Sequence, residues 1–128
     1  MEIFARNSLK RKKFIIFGGG FSGQFIANQI RSLGCEAITS SRRINNNETS
    51  FVFDSLSNAL PPEQIFDGTT HVLSCIPPEK SGKDPVLSRL HEKLRSLDLE
   101  WVGYLSTTGV YGNTFGKWVT EKDPVQPL

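Results

Sequence analysis

A short apolar run near the start of the chain breaks into closely spaced glycines and then continues as a helical pattern. Residues 14–17 are four large hydrophobic side chains without polar alternation, which is typical of a parallel strand covered on both faces. Gly18, Gly20 and Gly23 follow with the spacing G-x-G-x-x-G. This arrangement predicts a strand, a tight turn and the beginning of a helix, in that order.

Each glycine of this turn has a separate predicted role. Gly18 allows the tight turn, Gly20 lets the backbone approach a pyrophosphate, and Gly23 lets the helix lie close to the sheet. Phe21 and Ser22 begin the helix, where free main-chain N–H groups and the positive end of the helix dipole favour a phosphate. The sequence therefore predicts a dinucleotide-binding turn.

The competing interpretation is that three close glycines form only a flexible turn. The pattern that follows argues against it, because one helical face carries the small and apolar residues Gly23, Ile26, Ala27, Ile30 and Leu33. Gly34 then occupies the position of a C-terminal capping glycine. A strand before the glycines and a helix after them are the context that a dinucleotide-binding turn requires.

The length of 128 residues suffices for one domain with a single core. The net charge of +2 is too small to indicate a polyanionic partner. A basic cluster at residues 10–13 raises nucleic-acid binding as an alternative, but no interleaved aromatic and basic residues follow it. We therefore expect residues 1–13 to form a basic, solvated arm, and we expect no nucleic-acid partner.

The cysteines and the hydropathy bear on the cellular compartment. Cys35 and Cys75 fall in predicted strands without metal-ligand or redox spacing, which indicates buried, reduced thiols. No apolar stretch approaches the ~20 residues of a membrane span. The apolar run after the basic cluster is also too short for a signal peptide. We expect a cytoplasmic protein with no metal site and no membrane partner.

The end of the second predicted strand, residues 35–39, bears on the cofactor. An NAD site would usually place Asp or Glu here to accept a hydrogen bond from the ribose 2′-hydroxyl. The chain instead continues with Ser40, Ser41, Arg42 and Arg43. Hydroxyl and guanidinium groups suit a 2′-phosphate, so Ser41, Arg42 and Arg43 are candidate ligands. NADP is therefore favoured over NAD, and the alternative is that both arginines simply lie in a solvated loop.

Two further strands are predicted in the central part of the chain. Residues 50–53 form the third strand and end at Asp54, which is a candidate either for contact with the adenine edge or for a helix cap. Residues 71–76 form the fourth strand and stop at consecutive prolines. Because the carboxyl ends of parallel strands border the ligand crevice, residues 74–78 are expected to face the cofactor, with Ser74, Ile76 and Pro77 as the candidate ligands.

The second half of the chain completes the predicted α/β pattern. Asp84 and Pro85 begin a helix, with Asp as the cap and Pro at the first position. Its apolar stripe consists of Val86, Leu87, Leu90, Leu94 and Leu97. Residues 100–105 are the fifth strand. We therefore predict a Rossmann-like, doubly wound parallel sheet of about five strands, incomplete at its C-terminal side.

Two motifs together carry a family resemblance. Residues 18–23 read G-G-G-F-S-G and residues 105–112 read L-S-T-T-G-V-Y-G. This combination resembles the extended and atypical short-chain dehydrogenase/reductases, which include nucleoside-diphosphate-sugar epimerases and dehydratases. The resemblance covers residues 14 to about 127. It implies an NAD(P)-dependent oxidoreductase or isomerase that transfers hydride between the nicotinamide and a nucleotide sugar or small carbonyl compound.

The resemblance also implies roles for two residues of the second motif. Thr107 matches the catalytic Ser or Thr that orients the substrate, and Tyr111 matches a tyrosine of the substrate pocket. The family's acid/base tyrosine belongs to a later Tyr-x-x-x-Lys helix, in which the lysine lowers the tyrosine pKa. The chain lacks that motif, because Thr108 lies four residues after Tyr104 and Phe115 four residues after Tyr111.

This departure limits the functional expectation. Residues 14–112 are expected to be the NAD(P)-binding domain, and residues 113–128 look like the substrate loop that precedes the missing helix. We expect the N-terminal part of a longer enzyme, inactive on its own. The alternative is a non-catalytic NADP-binding sensor or protein-interaction module. In either case the fifth strand would expose an unpaired edge, which favours a homodimer or aggregation.

Overall fold

A five-stranded parallel sheet organises residues 12–127, the part of the chain that the computed structural model describes. The strands are β1 (Lys13–Phe17), β2 (Glu36–Ser41), β3 (Ser50–Val52), β4 (His71–Ser74) and β5 (Trp101–Tyr104). Their order in the sheet is β3-β2-β1-β4-β5, and every neighbouring pair is parallel. This is the doubly wound α/β architecture that the sequence predicts.

Two α-helices and two short 3₁₀ helices connect the strands. Helix α1 (Phe21–Ser32) joins β1 to β2, and α2 (Pro85–Arg95) joins β4 to β5. The 3₁₀ helices are Glu63–Phe66, before β4, and Thr108–Tyr111, after β5. None of the helices within the described range is long and apolar enough to cross a membrane.

Helix α1 ends as the capping glycine predicts. Gly34 has a φ of +84°. Its N–H donates to the carbonyl of Arg31 at 2.9 Å, and the N–H of Cys35 donates to the carbonyl of Ile30 at 3.3 Å. These two bonds satisfy carbonyls of the last helical turn and reverse the chain into β2.

Helix α2 begins at the predicted cap. One carboxylate oxygen of Asp84 accepts hydrogen bonds from the N–H groups of Val86 at 2.9 Å and Leu87 at 2.8 Å. Pro85 occupies the first helical position, where its missing N–H costs nothing. The start of this helix is therefore confirmed.

The core has two parts because β1 is central and covered on both faces. On one face, Ile15 and Phe17 pack in a cluster that includes Val86, Leu90 and Leu94 of α2. On the other face, Ile16 packs with Ala27 of α1 and Ala37 of β2. The continuous apolar sequence of β1 is required because successive side chains enter opposite cores.

Some predicted boundaries and faces differ from the structure. Strand β2 extends to Ser41, so Ser40 is a strand residue, and β4 ends at Ser74, two residues earlier than predicted. Cys35 and Cys75 therefore flank strands and do not lie in them. Leu33 and Leu87, which were expected on the apolar faces of the helices, are 56% and 55% exposed.

The basic arm predicted at residues 1–13 is described only at its end, since residues 1–11 lie outside the described range. Lys12 forms an ion pair with Glu100. Lys13 is the first residue of β1, and its ammonium group donates to the carbonyl of Asp67 at 2.8 Å. These two lysines belong to the amino edge of the sheet and not to a solvated arm.

Gly23 and Gly20 provide a matched test of packing in the glycine turn. A Cβ at position 23 would lie 1.8 Å from the carbonyl oxygen of Gly18, whereas a Cβ at position 20 would meet no atom within 4 Å. We expect Gly23→Ala to lower the free energy of unfolding by about 1–3 kcal/mol. Gly20→Ala should cost less than about 1 kcal/mol. Urea denaturation of both variants measures this difference, and equal losses would contradict it.

Candidate functional site

A crevice of about 910 Å³ opens at the carboxyl edge of the sheet, where β1, β2 and β4 end. Its lining comes from residues 18–20, 40–42, 53, 55, 56 and 75–81. The chain leaves β1 to one side for β2 and later reaches the other side for β4, so the crevice lies at the topological switch point. Ligands of open α/β sheets bind at such points, and this volume is within the range of ligand pockets, about 300–1,000 Å³.

The glycine turn forms one wall of the crevice. Gly18 has a φ of +103°, a conformation that side chains with a Cβ rarely adopt. Gly20 faces open space, because a Cβ there would have no neighbour within 4 Å. The turn therefore leaves room for a ligand to approach the main chain at Gly20.

The first turn of α1 has unsatisfied N–H donors near this wall. Gly20 is the N-cap and makes no side-chain capping bond, and the first intrahelical bond runs from the N–H of Gln24 to the carbonyl of Gly20 at 2.9 Å. The N–H groups of Phe21, Ser22 and Gly23 thus have no intrahelical acceptor. None of these three residues lines the crevice, and Phe21 is 90% exposed. Their N–H groups follow directly after Gly20, the last residue of the turn that does line it.

Ser40 and Gly19 line the crevice but were not among the candidate ligands predicted from the sequence. The hydroxyl oxygen of Ser40 accepts a hydrogen bond from the N–H of Gly18 at 2.7 Å, and Ser40 is only 2% exposed. A Cβ at Gly19 would lie 2.5 Å from the carbonyl oxygen of Ser40. The end of β2 therefore touches the turn through both a side chain and the backbone. The glycine at position 19, which the G-x-G-x-x-G spacing does not require, was the available signal for this close approach.

The three candidate ligands of a 2′-phosphate have different positions. Arg42 is exposed and lines the crevice, and among residues 12–127 no carboxylate forms an ion pair with it. Ser41 also lines the crevice, but its hydroxyl is engaged with Arg43, accepting from that residue's N–H at 3.2 Å and donating to its carbonyl. Arg43 is exposed and does not line the crevice.

Asp54 does not line the crevice. Its carboxylate accepts a hydrogen bond from the N–H of Leu56 at 3.0 Å, which closes a local turn. No helix follows it, so the helix-cap interpretation is wrong. The guanidinium group of Arg89 donates to the carbonyls of Asp54 and Ser55 and holds this loop against α2.

The residues after β4 divide between two cavities. Ile76 and Pro77 line the crevice as expected. Ser74 lines a smaller cavity of about 140 Å³ between α2 and β5, so the expectation that it faces the same crevice is wrong. Side chains alternate along a strand, and β4 turns its last buried side chain toward α2.

The two residues implicated by the family resemblance lie after β5. Thr107 is exposed, and its hydroxyl oxygen accepts a hydrogen bond from the N–H of Gly109 at 3.1 Å. Tyr111 ends the following 3₁₀ helix and is partly buried. Neither residue lines the crevice beside the glycine turn. They sit at the carboxyl end of the strand next to β4, on the same edge of the sheet as the crevice.

Cys75 is the titratable residue of the crevice with a shifted pKa. Partial burial disfavours the thiolate and raises the pKa of Cys75 above its usual value. In the described part of the chain, no group of three or more His, Cys, Asp or Glu side chains is arranged to hold a metal ion. The polar chemistry of the crevice therefore consists of main-chain donors, hydroxyls and the charged residues Arg42, Glu79 and Lys80.

Several solved structures share this fold. A functionally unknown conserved protein from Silicibacter pomeroyi superposes with a TM-score of 0.69 at 32% identity, over 91% of this chain and 42% of its own. The nucleoside-diphosphate sugar epimerase of Corynebacterium glutamicum superposes with a TM-score of 0.53 at 18% identity, over 87% of this chain and 27% of its own. This chain thus spans less than half the length of either structure. The likeness establishes the Rossmann-like fold.

Other comparisons add little to this finding. An NADPH-dependent glyoxylate/hydroxypyruvate reductase of Sinorhizobium meliloti, solved with NADP and sulfate, reaches a TM-score of only 0.46 at 15% identity, over 84% of this chain and 43% of its own. No family model matches the chain. No curated protein matches it either.

Alkylation of Cys75 tests the environment of the crevice. Because burial raises the pKa of this thiol, the reactive thiolate is scarcer in the folded protein than in the unfolded chain at the same pH. We expect iodoacetamide to label Cys75 more slowly in the native protein, with the rate rising through a pH midpoint above the usual thiol value. Peptide mapping by mass spectrometry separates it from Cys35. Equal rates in native and urea-unfolded protein would contradict the expectation.

Proposed function

We propose that residues 14–112 are an NADP-binding domain of the short-chain dehydrogenase/reductase type, with residues 113–128 as a substrate-loop-like tail. The observation that carries this proposal is that one crevice is lined both by the glycine turn and by Arg42. The turn offers main-chain N–H donors to a pyrophosphate, and the guanidinium group offers paired donors to a 2′-phosphate. A carboxylate that would favour NAD is absent from residues 40–43.

The remaining lining suits the other parts of a dinucleotide. Leu56, which is 87% exposed, offers an apolar surface for the adenine on the same side of the crevice as Arg42, and Asp54 contributes by shaping this loop. Ile76 and Pro77, on the opposite wall, suit the nicotinamide half. Ligand pockets are mainly apolar with a few placed polar groups, and this crevice has that character.

A role in catalysis is proposed for the segment after β5. Thr107 would orient the hydroxyl or carbonyl of a nucleotide sugar or small carbonyl compound, and Tyr111 would lie in the substrate pocket. When bound, the cofactor would supply hydride chemistry. The described residues contain no Tyr-x-x-x-Lys pair to move the accompanying proton, so we propose that this chain alone is inactive.

The second candidate function is a non-catalytic NADP-binding sensor or interaction module. The missing acid/base pair favours it, whereas the L-S-T-T-G-V-Y-G segment favours an enzyme. Because this chain alone is proposed to be inactive, substrate binding and not turnover distinguishes the two candidates. Calorimetric binding of a nucleotide sugar to the protein loaded with NADP, weakened in Thr107→Ala, supports an enzyme domain, and cofactor binding without any binding of nucleotide sugars supports a sensor.

Charge reversal at Arg42 tests the cofactor proposal. We expect the unsubstituted protein to bind NADPH more tightly than NADH in calorimetric titration. Arg42→Asp should weaken NADPH binding by about 10- to 100-fold, because a charge-assisted hydrogen bond contributes about 1.5–3 kcal/mol. NADH binding should stay constant or improve, since a carboxylate can accept from the 2′-hydroxyl.

The matched control is Arg95→Asp, which makes the same charge change at the C-terminal end of α2, outside the crevice. It should leave the preference for NADPH intact. An unsubstituted protein that binds neither cofactor, or an Arg42→Asp variant with an unchanged preference, would refute the proposal.

We also propose that the exposed edge of β5 pairs with a second copy of the chain. Within the described residues, β5 has β4 as its only neighbour, and Val102 and Tyr104 are 58% and 48% exposed. An edge strand presents a row of N–H and C=O groups that a like strand can pair. In a twofold dimer, the exposed β5 edges of two identical chains would pair with each other.

A lysine on this edge tests the dimer. Val102→Lys should shift the protein from dimer to monomer in size-exclusion chromatography with light scattering, because charged residues on edge strands oppose pairing. Leu33→Lys is the control, since Leu33 is similarly exposed but lies at the C-terminal cap of α1 and not on β5. A monomeric unsubstituted protein at all concentrations would contradict the dimer and leave the cofactor proposal unaffected.

A further inference from the structure

We propose that Ser40 is a positioning residue that fixes the distance between the glycine turn and Arg42, and so sets the preference for a 2′-phosphate. This inference rests on the proposed function. Ser40 lines the crevice near the end of β2, between the glycine turn and Arg42. In the proposed function the turn would bind the pyrophosphate and Arg42 would bind the 2′-phosphate. Ser40 is buried, with 2% exposure, so it acts through its neighbours and need not touch the ligand.

The first support is the double contact between Ser40 and the turn. Its hydroxyl oxygen accepts from the N–H of Gly18 at 2.7 Å, and its carbonyl oxygen lies where only a glycine at position 19 leaves room. A partly buried N–H that loses its acceptor is costly, so the hydroxyl of Ser40 helps to hold Gly18 in place. The pairing of β2 with β1 therefore also fixes the position of the glycine turn.

The second support is a parallel tie one residue earlier. The side-chain amide of Gln24 donates to the hydroxyl oxygen of Thr39 at 3.1 Å, and Thr39 is 1% exposed. Gln24 lies in the first turn of α1, beyond the glycines. The entry and the exit of the turn are thus tied to Thr39 and Ser40, two consecutive residues of β2.

The third support is the short path from Ser40 to Arg42. Arg42 follows two residues later, about 7 Å along an extended chain, and directly continues β2. Ser40 is itself held by pairing with Phe51 of β3. This fixed spacing lowers the entropy cost of binding for a ligand that contacts both the turn and Arg42, because the two groups are already ordered.

The inference separates three ligands that share one site. NADP⁺ contacts both groups, NAD⁺ contacts the turn without a 2′-phosphate, and adenosine 2′-monophosphate contacts Arg42 without a pyrophosphate. In Ser40→Ala we expect affinity for NADP⁺ to fall about 10-fold and affinity for adenosine 2′-monophosphate to stay within about twofold. The preference for NADP⁺ over NAD⁺ should fall at least threefold, since the spacing matters most to the ligand that uses both groups.

Two further variants distinguish a change in cofactor preference from a general loss of stability. Val86→Ala removes core packing on α2, away from the crevice, and should lower stability while leaving the NADP⁺ to NAD⁺ preference unchanged. Thr39→Val breaks the second tie with little change of shape. It should lower the preference in the same direction by a smaller factor, and it keeps the test possible if Ser40→Ala does not fold.

A measurement without ligand completes the experiment. Amide hydrogen exchange should become faster at Gly18 and Gly19 in Ser40→Ala and stay unchanged in β4, the strand on the other side of β1. An unchanged NADP⁺ to NAD⁺ preference in both Ser40→Ala and Thr39→Val would overturn the inference while the proposed function stands. Failure of the unsubstituted protein to bind either dinucleotide would overturn the proposed function and this inference together, whatever the exchange rates are.

Discussion

The closeness of Gly23 to the carbonyl oxygen of Gly18 is the constraint on which the architecture depends. It lets α1 begin almost directly after β1 ends, within a turn of three residues. Because the helix axis then lies close to the sheet, Ala27 can reach the second core cluster beside Ile16. The same closeness leaves the N–H donors of the first helical turn at the carboxyl edge of the sheet, where β2 and β4 also end.

The α-helices and strands could be predicted from the sequence because the capping residues and the hydrophobic patterns indicate the same elements. The apolar run of β1, the capping Gly34 and the Asp84 cap each specify one boundary, and the structure has all three. The observed order, β3-β2-β1-β4-β5, is the order of the dinucleotide-binding fold that the glycine turn indicates. Helical periodicity was less informative at the ends, since Leu33 and Leu87 fit the pattern but lie beyond the reach of either core.

The site could be predicted only in part, because spacing along the chain does not give contacts between strands. Gly18, Gly20 and Arg42 were recognisable from residue type and position. The contact between Ser40 and the turn depends on β2 extending two residues beyond its predicted end, which brings the hydroxyl of Ser40 beside Gly18. The side of the sheet that Ser74 faces likewise depends on the strand's register, and a shift of one residue reverses such an assignment.

Buried and exposed residues are clearly separated at the end of β2, and this separation affects which positions can change during evolution. The residues that support the glycine turn, Thr39 and Ser40, are buried within the strand, whereas Arg42 and Arg43 lie outside it and are exposed. Substitutions at the two arginines therefore disturb no packed neighbour. The charge at this edge of the crevice can therefore change without eroding the fold, while the two inner positions tolerate little drift.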